Sequence, residues 1–125
     1  MSNDFKIKPV KVILDKPRNL LFDLNAFEVL EDLYENEKAI DKDGSEVVSA
    51  LSKAFRLFES DKKKIKHIKN FLYAGLVYED EDLTPAIVGT WIGYSNINEI
   101  TDNIWNAISN SLPEPKEGSE DSSGE

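Results

Sequence analysis

Residues 84–113 read TPAIVGTWIGYSNINEITDNIWNAISNSLP, and two helix starts and two stops are written in them. Thr84 is an N-cap residue type, and Pro85 stands at the first helical position, where its missing N–H is not needed. Ile87, Val88, Trp91 and Ile92 supply an apolar face, and Gly93 predicts the stop. Asn96 opens the next helix, with Glu99 three residues on, where a capping box needs it. Ile97, Ile100, Ile104, Ile108 and Leu112 recur at i, i+3, i+4 spacing, a stripe widened by Trp105. Pro113 closes that helix. The period is helical throughout, which sets the class of the fold.

Working outward, the same signals recur upstream. Gly75 predicts the C-terminal stop of a helix that follows a cap at Asp61 and places Ile65, Ile68 and Leu72 on one side, with Phe71 beside them. Before it, Ser45 is the expected cap of a helix whose face is Val47, Leu51, Ala54, Phe55 and Phe58. The first helix is expected from Asn25, with Glu28 completing a capping box and Leu24 and Val29 a hydrophobic staple. Its apolar face is Phe27, Leu30, Leu33 and Tyr34. Residues 5–14, FKIKPVKVIL, alternate β-branched residues with lysines, and the turn DKPR at 15–18 leads to a short second strand from Asn19 to Phe22. Pro9 belongs at an edge or a bulge.

The chain is therefore expected to be mostly α, of the α+β kind. About five helices carry an N-terminal β-hairpin over residues 1–113, and an acidic, disordered tail covers residues 114–125. The tail holds Glu114, Glu117, Glu120, Asp121 and Glu125 against Lys116, so −5 + 1 = −4 of the chain's −9. It contains no large apolar residue to offset the entropy of ordering.

Composition narrows the function. The 125 residues bound one ordinary domain, and 40% hydrophobic content makes a core feasible. With no cysteine, disulfides and thiolate metal sites are excluded. The N-terminus lacks the apolar run of a signal peptide, and no stretch nears the ~20 apolar residues of a membrane span. A soluble, intracellular protein without membrane contact is expected. A net charge of −9 repels phosphate backbones, which disfavours nucleic acid as a partner.

Catalytic sets are missing from the pattern. The one histidine, His67, has no nucleophile elbow to serve and reads as a structural or solvent-facing helix residue. Asp41, Asp43, Gly44 and Glu46 share residue types with a calcium loop but fail its spacing. Glu79 to Asp82 reads as a solvated loop before the Thr84 cap. No phosphate-cradling glycine motif occurs. No enzyme, cofactor or metal is expected. Lys62, Lys63, Lys64, Lys66 and Lys69 form a basic cluster. It supports an alternative role, a regulatory or adaptor protein gripping an acidic partner or DNA. The aromatic residues favour an interaction protein, because rings beyond those a small core needs serve as partner anchors.

The run Arg18-Asn19-Leu20-Leu21-Phe22-Asp23-Leu24-Asn25-Ala26-Phe27-Glu28-Val29-Leu30-Glu31 resembles the opening of the tail assembly chaperones of long-tailed bacteriophages. There a short basic β segment leads into an FDxNAxxxLE-like helix start. Phe71 to Leu76, followed by Asp80 to Thr84, is similar to the family's AGL…D..LT transition, and Ala107 to Pro113 is similar to its closing ALxxSLP. The resemblance spans roughly residues 10–113 and carries no catalytic residues. It implies a mostly helical protein of the host cytoplasm, absent from the mature virion. Such a protein binds the tape measure protein, keeps its hydrophobic helices soluble and helps recruit tail tube protein. Self-association, with the hairpin edge as mediator, also fits the family. In many phages ribosomal frameshifting yields a longer form. Under this reading Phe71, Tyr73, Trp91, Tyr94 and Trp105 are the expected protein-binding residues, accepting amphipathic client helices.

Overall fold

The computed structural model describes residues 7–60 and 65–112. Its elements in chain order are β1 (Val10–Ile13), β2 (Pro17–Leu20), α1 (Leu24–Tyr34), α2 (Ala50–Ser60), α3 (Ile65–Leu76), α4 (Pro85–Gly89) and α5 (Ile97–Ser111). Among the described residues there are thus five helices and a two-stranded antiparallel hairpin, as the periodicity predicts.

Val10 pairs with Leu20, Lys11 with Asn19, Val12 with Arg18 and Ile13 with Pro17. Alternation buries Val12, Arg18 and Leu20 on one face and leaves Lys11 and Ile13 in solvent. The buried face rests on two helices, β2 against α3 and β1 against α5. α3 is the central element and packs against α1, α2, α4, α5 and β2. Eight of its twelve residues are buried, so it lacks the single wet face of a surface helix. Phe71 marks the middle of the core. It stacks on Phe58 at 4.2 Å and 12°, meets Tyr34 and Phe55 edge-on, and lies beside Phe22.

Several local expectations are corrected. The N-cap of α1 is Asp23, not Asn25: its Oδ1 accepts the Ala26 N–H at 3.0 Å, and Leu24, expected in a staple, is exposed. The second helix begins at Ala50, not after Ser45. Residues 39–47 instead close a small bridged loop, in which Ile40 pairs with Glu46 and Gly44 turns the chain at φ +89°. Asp41 N–H bonds Ser45 C=O, and Asp43 Oδ1 takes both the N–H and the hydroxyl of Ser45. Ser45 is thereby spent as a turn residue, and Ser49 Oγ accepts from Ser52 N–H at the helix start. The second strand starts earlier than expected, at Pro17, which tolerates the first strand position because it needs no N–H there.

Gly75 does not stop α3, which runs to Leu76. A Cβ at Gly75 would lie 2.7 Å from Leu20 Cδ2 and 2.8 Å from Phe22 Cε1, so the glycine marks a helix–strand crossing. Thr84 and Pro85 begin α4 as expected, but α4 ends at Gly89, and Trp91 and Ile92 fall in the turns after it. Asn96 precedes α5 without capping it. Its side chain turns back, accepting Gly93 N–H at 2.7 Å and donating to Trp91 C=O at 3.0 Å. The expected Asp61 cap, the Pro113 stop and the tail of residues 114–125 lie outside the described residues.

Candidate functional site

The five expected protein-binding residues occupy three settings. Phe71 is wholly buried and offers a partner no surface in this conformation. Trp105 is half-buried against Phe58, their rings 5.0 Å apart, so it lies at the rim of the cluster Phe71 centres. Tyr73 is half-buried on α3, packed against the core. Trp91 and Tyr94 share the corner between α4 and α5, where Tyr94 is 91% exposed.

The corner is built locally. The Thr84 hydroxyl accepts the Ile87 N–H at 3.1 Å, which fixes the first turn of α4 and turns Ile87 outward, 42% exposed. The side chain of Asn96 then ties Gly93 and Trp91 together, holding the connection that carries Tyr94. Trp91 is anchored from beneath. The Arg18 guanidinium carbon lies 4.5 Å from its ring centroid, in cation–π geometry.

Arg18 is itself buried and fully engaged. Nε and Nη2 fork onto Asp15 at 2.7 and 2.9 Å, and Nη1 reaches Asp80 at 3.5 Å. The hydrogen bond from Arg18 holds the Asp15 carboxyl below the usual carboxylate range, and Asp15 in turn raises Arg18. One guanidinium thus links the hairpin turn, the acidic loop and the Trp91 corner. Beside it an open depression of about 530 Å³ is lined by Lys16, Pro17, Arg18, Glu79 and Asp80.

The remaining polar residues of interest are structural in placement. His67 is buried on α3, its Nδ1 2.7 Å from the Tyr34 hydroxyl, and Asn70 Nδ2 donates to that hydroxyl at 3.4 Å. Burial, with Glu37 nearby, pushes the Tyr34 phenol up to about 12. Of the basic cluster, Lys66 Nζ bonds Glu37 at 2.8 Å, and the Lys69 stem lies close under Gly89. Lys62, Lys63 and Lys64 lie outside the described residues. Among the described residues no group of three or more acidic or histidine side chains could hold a metal ion, and no helix is long and apolar enough to cross a membrane.

Sequence reading missed exposed apolar residues that the structure sets in solvent, chiefly Ile87, Ile13, Leu24 and Val48. For Ile13 a signal exists: strand alternation puts it on the lysine side of β1, opposite Val10 and Val12. For Leu24 the signal is the true cap at Asp23, which makes Leu24 the first helical residue. No protein family, characterised protein or solved structure matches the chain.

Proposed function

We propose that the chain is a phage tail assembly chaperone, a non-catalytic protein that holds the tape measure protein soluble and helps bring tail tube subunits to it. The observation that carries the reading is the α4–α5 corner. There Tyr94 stands 91% exposed, Ile87 on α4 is 42% exposed, and the half-buried Trp91 is anchored by Arg18. A tyrosine held out on a fixed turn contributes little to its own core. It suits an amphipathic client helix, which seeks an apolar body with a polar tip. The client surface is Tyr94, Ile87 and Trp91, with Trp105 and Tyr73 as secondary contacts. Phe71 is spent on the core, among Phe22, Tyr34, Phe55 and Phe58. The charge of −9 keeps a loaded complex dispersed. The resemblance over residues 10–113 supplies the client's identity.

Co-expression with the tape measure protein tests it. The chain should move the tape measure from the insoluble to the soluble fraction and co-purify with it. Tyr94→Ser with Ile87→Ser should lose both effects while keeping the thermal midpoint of the parent. A tape measure equally soluble with and without the chain would remove the proposal.

A further inference from the structure

The two edges of the hairpin are treated differently by the rest of the fold. On β2, Asn19 N–H points to Glu79 Oε1 at 3.4 Å, Asn19 C=O accepts the Tyr78 hydroxyl at 3.0 Å, and Leu21 N–H bonds Gly75 C=O at 3.0 Å. That edge is closed. Because Asn19 turns its backbone groups away from β1, the Lys11–Asn19 pair is the non-hydrogen-bonded kind. The Ile13–Pro17 pair has the same parity, and Pro17 has no N–H to give. It follows that the N–H and C=O of Lys11 and Ile13 project from the outer edge of β1. Among the described residues neither has a hydrogen-bond partner there, and both side chains are exposed, Ile13 at 64%.

That open edge is also a basic island on an acidic molecule. Lys8 and Lys11 are exposed on and just before β1, while Lys16, in the turn after it, shares the depression with Glu79 and Asp80. The nearest acid on the hairpin, Asp15, is neutralised by the Arg18 fork. Lysines and Pro9 on a short edge ordinarily deter strand pairing. Here they deter selectively. A second copy of β1 would set lysine against lysine, which disfavours pairing. An apolar strand would strand the ammonium groups. An acidic strand satisfies both the backbone and the charges.

We propose that the outer edge of β1 is a strand-addition site for an extended acidic segment of a partner polypeptide. The segment bonds the free N–H and C=O of Lys11 and Ile13, sets its carboxylates against Lys8 and Lys11, and covers Ile13. The site is separate from the α4–α5 corner and does not depend on the client reading.

The probe is a short synthetic peptide alternating glutamate with valine, with a lysine–valine peptide as control. The glutamate peptide should bind the full chain and slow amide exchange at Lys11 and Ile13. It should weaken as salt is raised and lose about tenfold in affinity to a Lys8→Glu, Lys11→Glu variant. Ile13→Pro, which removes one edge N–H, should weaken binding without moving the thermal midpoint. If that variant does not fold, the charge-reversal pair carries the test. Tyr94→Ser should bind the peptide as the parent does, so failure here and failure of the chaperone reading are distinguishable. Three results overturn the proposal. One is no peptide-dependent protection of Lys11 and Ile13. Another is protection already present in the full chain and abolished when residues 113–125 are removed, which makes the chain's own acidic segment the occupant. The third is protection that rises with protein concentration, which makes it a second copy.

Discussion

Tyr34 sits at zero exposure between α1 and α3, and its hydroxyl is the hinge of a buried polar group with His67 and Asn70. Asn70 donates to the phenol oxygen, which leaves the phenol proton free for His67 Nδ1. The native phenol titrates at about 12 and the unfolded one near 10, so between those values the unfolded chain binds fewer protons and stability falls as pH rises. The loss across that window should be about 2–3 kcal/mol. Urea midpoints taken from pH 9 to 12 should therefore decline steeply in the parent and less in Tyr34→Phe. At neutral pH the same variant should lose about 1–3 kcal/mol, because His67 and Asn70 lose a buried partner. Gly75 makes a second residue-scale case. An alanine Cβ there meets Leu20 and Phe22 inside van der Waals distance. Gly75→Ala should cost about 1–3 kcal/mol by denaturant unfolding, although alanine is the better helix former. Sequence reading assigned Gly75 the role of a stop because local chemistry sees only the helix. The strand end that crosses it is distant in sequence.

At the scale of elements, the helix count and the hairpin were legible because periodicity and turn residues are local. The starts of α1 and α2 were not. Asp23 and Asn25 are both good caps, and a sequence offers no way to see which one turns its side chain onto a free N–H of the first turn. Asp23 does so at 3.0 Å, while Asn25 is exposed one turn-position too late. Asp23→Ala should cost about 1 kcal/mol and Asn25→Ala less than about 0.5 kcal/mol, a difference readable in paired thermal melts. Ser45 misled for a related reason. It follows Gly44, whose left-handed φ lets residues 41–45 close on themselves before any helix can start. Arg18 shows the opposite limit. The turn expected at residues 15–18 kept it off the second strand, where it in fact lies, and its burial under Trp91 joins residues more than seventy positions apart. Of the five expected contact residues, Tyr94 could be placed on a turn from Gly93 and Asn96 alone. Phe71 could not be told from a surface ring, because α3 is apolar on more than one face.

For the whole molecule, the question is how apolar area divides between holding the monomer together and meeting a partner. Phe22, Tyr34, Phe55, Phe58 and Phe71 form one contiguous aromatic group reaching α1, α2, α3 and the residues after β2, with Trp105 at its rim. Phe71 touches most of it, so Phe71→Ala should cost about 3–5 kcal/mol. A domain of this size has on the order of 5–15 kcal/mol in total, so that variant should unfold at markedly lower urea and lose every activity together. Tyr94→Ser removes a ring that touches little. Its stability should stay within about 0.5 kcal/mol of the parent while tape-measure solubilisation fails. The pair separates two accounts that a single variant would confuse. If Tyr94→Ser solubilises the client normally and only Phe71→Ala fails, the aromatic surplus belongs to the core and the corner is not the docking surface. If Tyr94→Ser fails at full stability, the exposed ring is held out for a partner, and the strength of the core serves to keep that corner rigid.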